Sequence, residues 1–341
     1  MKTRHLLTAL AILVISLSAC REITVSTLVN DDGSFTRTIT VSGDSSEAFK
    51  NELPYPVDTS WSMTSKKDTT GKGKFIVTYT RHFRNCDELT AEIGRDTSWK
   101  KQLVRSIGIK KRFGFFYSHV EYKEVYKAAN PFTALPYKDH LTPEDITWLN
   151  RSHAILGPAD SIKSKAAEDK ALAYLAESAT AEIEKILADG IRKLNDPRLE
   201  VKQVREFHDS IRNALTNGKF TEGSALIDAY RGWTGNPAVD RLREMQPPLF
   251  REFERKAGFL ENLLTMEGFQ ATAEMPGLIT GTNSSALSGN RVGWNVFPMA
   301  FLLEDYTMTV ESRVINVWAF VLSGIVLLAL ISLLVVKALK K

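Results

Sequence analysis

The stretch Glu267-Gly268-Phe269-Gln270-Ala271-Thr272-Ala273-Glu274-Met275-Pro276-Gly277 opens residues 267–314, and how that segment reads decides the fold. Phe269, Thr272 and Met275 lead into the Pro276-Gly277 turn. Val292, Trp294 and Val296 then alternate with polar residues, as do Tyr306, Met308, Val310 and Ser312. Period-two alternation is the signature of strands with one buried face. Thr282-Asn283-Ser284-Ser285 and Ser288-Gly289-Asn290 are turn-rich connections. Strands 267–314 alone make too small a sheet to bury a core. They need partners, and the other strand-like segments lie at the far end of the chain.

Those partners read from residues 21–130. Ile23 and Val25 alternate with polar residues, as do Phe35, Ile39 and Val41, around the turn Asn30-Asp31-Asp32-Gly33. Trp61 and Met63, then Phe75, Val77, Tyr79 and Phe83, suggest a second hairpin turning at Gly71-Lys72-Gly73. Asn85 or Asp87 caps a short helix reaching roughly to Ile93. Ile107, Ile109, Phe113, Phe115 and Tyr117 fall on one face of a long strand bent at Gly114, with a bulge switching the face before Val120 and Tyr122. Between the two strand regions the period changes. Thr142-Pro143-Glu144-Asp145 is a helix start. Helices are expected over 158–194, ended by Asn195-Asp196-Pro197, then 201–215, 221–230 and 250–264. The expectation is an α+β fold: one antiparallel sheet built from N- and C-terminal strands with a helical block between them, plus one C-terminal transmembrane helix. That arrangement would bring both chain ends to one side of the domain. Separate β, α and β modules are the alternative.

The two ends carry targeting signals. Lys2 and Arg4 precede the apolar run Leu6–Leu17, and Leu17-Ser18-Ala19-Cys20 looks like a bacterial lipobox. In such a signal the cysteine thiol takes a diacylglyceryl group and becomes the first mature residue. Cys20 is therefore the expected lipidation site and membrane lipid its partner. At the other end, Val317 to Val336 are twenty residues without a charge. At ~1.5 Å each they match a hydrocarbon core of ~30 Å. Lys337, Lys340 and Lys341 follow, which favours a cytoplasmic C-terminus. The divisions read from the chain are a lipoprotein signal peptide at 1–19, a strand-rich part at 20–141 and a helical block at 142–265. C-terminal strands at 266–314, a membrane helix at 315–337 and a tail at 338–341 complete them. The main domain is expected outside the cytoplasm, on the cytoplasmic membrane of a bacterium.

Composition bounds the remaining classes. With 43% hydrophobic residues, 25% charged and 17 Phe in 341 residues, global disorder is excluded. Two cysteines, Cys20 and Cys86, exclude a disulfide scaffold, and Cys86 is expected to be buried. Of the formal charge of +4, Lys2 and Arg4 account for two and Lys337, Lys340 and Lys341 for three, which leaves residues 20–336 at −1. The basic balance belongs to the ends. Motifs for zinc proteases, serine hydrolases, nucleotide binding or CxxC chemistry are missing from the sequence. His82, His119, His140, His153 and His208 have no metal-ligand spacing. Ser98-Trp99-Lys100-Lys101 matches SxxK without its companion elements and reads as an exposed basic turn. Lys110-Lys111-Arg112 and Arg251, Arg255 and Lys256 read as solvated faces, with anionic headgroups as the alternative partner. No cofactor, metal, catalytic residue or nucleic-acid partner is implied.

Met275-Pro276-Gly277, Thr282-Asn283, Ser288-Gly289-Asn290 and Trp294 set out a "PG…TN…SGN…W" strand–turn–strand ahead of the apolar run. In this the chain resembles the LppM-like lipoprotein domain family, which combines a lipobox, a strand-rich extracytoplasmic domain and a C-terminal transmembrane helix. The lipobox and the hairpin at 23–41 fit that layout, and the large helical block 142–265 departs from it. The resemblance covers the two flanking parts of the chain. It implies an envelope-associated, non-enzymatic domain contacting lipid or envelope glycolipid, and supplies no catalytic residues. The functional expectation is a doubly anchored envelope lipoprotein whose α+β domain is a binding or assembly module for lipid or another envelope component. The rivals are an envelope hydrolase with a scattered acid and histidine site, and an accessory subunit of a membrane complex.

Overall fold

The computed structural model describes residues 21–50, 52–68, 74–150, 158–218, 222–245 and 249–339. The first hairpin forms where Asn30-Asp31-Asp32-Gly33 predicts it, joining β1 (Glu22–Val29) to β2 (Phe35–Gly43). Gly33 takes φ +91°, a conformation that costs a side chain with Cβ ~1–2 kcal/mol. The next pair, β3 (Ser62–Lys67) and β4 (Phe75–Phe83), is antiparallel too. Its expected turn at Gly71-Lys72-Gly73 lies outside the described residues, as do the signal peptide, Cys20, His153, Thr221, Lys340 and Lys341. Helix α1 (Cys86–Gly94) is capped as read, the Asn85 side chain accepting from the Glu88 amide at 3.1 Å. Cys86 is half-buried rather than buried, and burial pushes its thiol up.

The long strand expected over 107–122 is instead a hairpin, β5 (Arg105–Arg112) and β6 (Tyr117–Tyr126). The alternation of Phe113, Phe115 and Tyr117 runs straight through the turn, so periodicity does not mark it. Gly114 does, because a Cβ there would lie 2.5 Å from the Tyr117 carbonyl oxygen.

The described residues between Pro143 and Leu264 are mostly helical. In α2 (Pro143–Leu149) a capping box joins Thr142 and Asp145. Helix α3 (Pro158–Leu194) ends at Asn195, which adopts φ +47°. The helix read over 201–215 breaks at Phe207 into α4 (Val201–Glu206) and α5 (His208–Thr216), and the Phe207 ring packs on Tyr230 and Trp233. Helices α6 (Gly223–Thr234) and α7 (Arg251–Leu264) follow. The block joins the strands along α7, where Phe253 meets Phe132 at 5.3 Å and Phe259 meets Trp99 at 6.1 Å. One continuous core runs through both parts.

The C-terminal segment returns to strands β7 (Phe269–Glu274), β8 (Leu278–Thr282), β9 (Ala286–Ser288), β10 (Arg291–Val296) and β11 (Tyr306–Ile315). The α+β class holds, and N- and C-terminal strands do pair. They build two sheets, however, not one. The larger has the order β3-β4-β2-β1-β7-β10-β9 and the smaller β5-β6-β11-β8. The β1–β7 contact is parallel, because the helical block carries the chain back to start β7 beside the start of β1. The divided sheet has a local cause. After the Pro276-Gly277 turn, β8 leaves the first sheet for the second, and β10 returns to the first.

Helix α8 (Val317–Leu339) is long and apolar enough to cross a membrane, with mean hydropathy 2.9. Only 6% of that apolar window is buried by the rest of the protein, unlike the core helix of a soluble domain. The start of β1 and the end of β11 do not lie on one side of the domain. Arg21 pairs with Glu267 two residues before Phe269, whose ring lies 6.4 Å from that of Tyr126. Ile315 pairs with Tyr117 at the opposite end of β6. At ~3.3 Å per residue the length of β6 separates the two exits by ~30 Å.

Candidate functional site

Two places gather chemistry: the root of α8 and the interface between the sheets. At the first, a single residue, Asn316, joins β11 to the helix. Its backbone N–H donates to the Phe116 carbonyl at 2.9 Å, and its Nδ2 donates to the carbonyls of Gly114 at 2.6 Å and Phe115 at 3.2 Å. Its Oδ1 accepts from Ser118 Oγ at 3.0 Å, and its carbonyl accepts from the Ala319 N–H at 3.0 Å. Asn316 thus fastens the β5–β6 turn to the start of α8. Aromatic rings complete the joint. Trp318 stacks on Phe113 at 6.1 Å and 7°, and meets Phe115 edge-on at 5.4 Å. Phe320 meets Phe116 at 4.9 Å and Tyr117 at 6.0 Å. The Arg313 guanidinium sits 4.5 Å over Tyr117. This arrangement seats the start of the apolar helix against one end of the smaller sheet.

The second place is sealed. Phe35, Arg37, Ile39 and Val41 share the inner face of β2, and Val120, Tyr122, Glu124 and Tyr126 that of β6. A charge at the inward parity of each strand would be costly alone. They find each other instead: Arg37 Nη2 lies 2.9 Å from Glu124 Oε2, with side-chain exposures of 0% and 3%. Arg37 also donates to the Tyr122 hydroxyl at 3.2 Å and to Thr27 Oγ1 at 3.1 Å. The hydroxyls of Tyr122 and Tyr55 donate to Glu124. The guanidinium of Arg37 lies 4.5 Å over the Tyr55 ring, with that of Arg105 at 4.9 Å. Burial would raise the Glu124 carboxyl, but Arg37 and the two tyrosine hydroxyls outweigh it and hold the group below the usual carboxylate range. A substrate has no route to groups this deeply covered. Their work is to fix how the two sheets face each other.

The histidines flagged by the sequence are scattered. His82 lies on β4 with Nδ1 3.3 Å from Thr36 Oγ1. His119 and Arg112 share Glu311 on the partly exposed face of the smaller sheet. The His140 ring rests on Tyr174, and His208 bridges Glu177 and Glu184 of α3, docking α5. Among the described residues no cluster of three or more His, Cys, Asp or Glu is arranged to hold a metal ion. Ser98 caps a short 3-10 turn, accepting from the Lys100 amide, and Lys100 Nζ donates to the Leu53 carbonyl at 2.6 Å, so the SxxK match is a structural turn. On α7, Arg255 binds Glu252 and Gln102, and Lys256 binds Glu182. An apolar crevice in the helical block is lined by Phe132, Leu172, Leu175, Leu215, Phe253 and Leu260.

The motif residues behind the family resemblance have a defined structural task. Gly277 takes φ +77°, and a Cβ there would stand 2.4 Å from the Arg313 carbonyl oxygen. Met275 and Asn290 bond each other, the Met275 N–H to the Asn290 carbonyl and Asn290 Nδ2 to the Met275 carbonyl. Asn283 Oδ1 accepts from Trp294 Nε1 and from the Thr309 N–H, both at 3.0 Å. Together these bonds hold the crossing of β8 between the sheets. The sequence missed Asn316 and the Arg37–Glu124 pair. The signal for the pair was present: two charges at the inward parity of otherwise apolar strands.

No family model matches the chain, and no curated protein matches it. Among solved structures it is similar to the NMR structure of the folded domain of Mycobacterium tuberculosis LppM, at 8% sequence identity and a TM-score of 0.27, over 87% of this chain and 91% of that one. A superposition that loose carries no argument about function, so the reading of this chain rests on its own residues.

Proposed function

We propose that the protein is a bacterial envelope lipoprotein rooted in the cytoplasmic membrane, whose extracytoplasmic α+β domain is a non-catalytic binding or assembly module for lipid or another envelope component. The observation that carries the reading is the joint at Asn316, where the last strand passes into a bare apolar helix with no linker. A domain fastened this way works at the bilayer surface rather than at a distance from it. In this reading Cys20 carries the acyl group, helix 317–336 crosses the bilayer, and Lys337, Lys340 and Lys341 remain in the cytoplasm. Because the two exits lie ~30 Å apart along β6, sharing one bilayer requires the domain to lie along the surface. The sealed Arg37–Glu124 cluster and the dispersed histidines favour a binder over a hydrolase.

The test is topology with lipidation. A reporter fused after Lys341 is expected to be active only in the cytoplasm, and Cys20→Ala should abolish acyl labelling. Reporter activity outside the cytoplasm, or acylation that persists in Cys20→Ala, would contradict the proposal.

A further inference from the structure

We infer that the β5–β6 turn, Phe113-Gly114-Phe115-Phe116, is a membrane-insertion loop whose rings enter the headgroup–acyl boundary of the bilayer that α8 crosses. The inference rests on the reading of α8 as a span and adds a second, independent contact with lipid. Three observations carry it.

The first is exposure. Phe113 is 69% exposed, Phe115 47% and Phe116 40%, on a turn of four residues. The register of the smaller sheet brings two more bare apolar residues to the same end: Leu278 opposite Arg313, and Ile315 opposite Tyr117. Exposed apolar residues gathered at one end of a sheet in this way mark a contact surface.

The second is position. Phe113 and Phe115 pack on Trp318 and Phe116 on Phe320, so the turn lies level with the first turn of the span. That is the depth at which tryptophan and other aromatic rings gather at membrane–water boundaries.

The third is backbone chemistry. A turn entering lipid must have its peptide groups satisfied, since no water is there to bond them. The carbonyls of Gly114, Phe115 and Phe116 all accept from Asn316. A turn facing water has no such need.

The charges nearby agree. Arg112 is paired with Glu311, and Lys110 and Lys111 are exposed. Lys111 stands two residues from Phe113, close enough to meet anionic headgroups at the same surface.

The test uses the full chain with Cys86→Ser, reconstituted in liposomes of phosphatidylcholine and phosphatidylglycerol. An environment-sensitive fluorophore is attached in turn at Phe115→Cys, Ser62→Cys on β3 and Leu327→Cys within α8. The label at 115 should shift to the blue and be quenched by shallow lipid-borne quenchers. The label at 327 should be quenched by deep ones, and that at 62 should read as water. A watery signal at 115 with a lipid signal at 327 overturns the inference and leaves the span standing. A watery signal at 327 removes the span, and the inference with it. To exclude attraction by the dye itself, a label at Lys111→Cys is followed as Phe113, Phe115 and Phe116 are changed together to Ser. It should move towards water, and an unmoved signal overturns the inference.

Discussion

The hairpins β1–β2 and β5–β6 close tight turns with opposite chemistry. The first tip, Asn30-Asp31-Asp32-Gly33-Ser34, satisfies itself: Asn30 Nδ2 donates to Ser34 Oγ, and Asp32 Oδ1 accepts from the Ser34 amide at 2.9 Å. The Ser34 hydroxyl and amide, both donating to it, hold the Asp32 carboxyl below its usual range. The second tip presents three phenylalanines and takes its backbone partners from Asn316, 200 residues further along the chain. One tip is built for water and closes with its own residues. The other is completed only when β11 and α8 are in place. The hairpins nevertheless share a centre, because Arg37 of the first meets Glu124 of the second. A common core with divergent tips suggests that packing fixes the body of each hairpin and solvent fixes its end.

Breaking the shared centre should have the largest effect. Arg37→Leu leaves Glu124 buried without its cation and is expected to cost about 3–5 kcal/mol in urea unfolding of the detergent-solubilised chain. The double change Arg37→Met with Glu124→Leu removes both charges and should cost less than Arg37→Leu alone. If the double variant were the less stable of the two, the pair would be contributing net stability rather than specificity. The pH response follows from the same pair. Glu124 is held below the usual carboxylate range, so the unfolded chain binds its proton more readily than the folded one. The stabilisation is present above the unfolded value of ~4.3 and is lost as pH falls through the lower folded value. In Glu124→Gln this part of the acid sensitivity should disappear.

Smaller effects separate the tips. Gly33→Ala places a Cβ at φ +91° and should cost ~1–2 kcal/mol. Asn316→Ala deprives the second tip of its side-chain donor and should cost roughly 1 kcal/mol. It should also raise hydrogen exchange around 116–118 while leaving 30–34 unchanged. Phe113→Ser, at a site 69% exposed, should change unfolding stability by less than ~0.5 kcal/mol. A large loss there would mean that the ring packs within the domain rather than facing lipid.

The difference between the hairpins also explains what the sequence disclosed. The first tip was legible because Asn-Asp-Asp-Gly is turn chemistry that acts locally. The helix start at Thr142 and the long helix from Pro158 were legible for the same reason, through a capping box and a sustained apolar stripe. Aromatic alternation continues through the second tip as it would through a strand, and the residue that closes it lies at the far end of the chain. The division into two sheets was hidden likewise. It depends on Gly277 passing close to the Arg313 backbone, a contact between strands distant in sequence. In the candidate site, the apolar helix stood out by length alone, whereas Asn316 is one unremarkable polar residue whose role appears only when the turn lies beside it.

Asn316 and the aromatic joint should make α8 and the second hairpin one rigid body. Spin labels at Lys111→Cys and Val321→Cys in the full chain with Cys86→Ser, reconstituted in a bilayer, measure this directly by electron–electron resonance. The account predicts a single narrow distance distribution, which broadens in Asn316→Ala. A broad or multimodal distribution in the parent protein would contradict it.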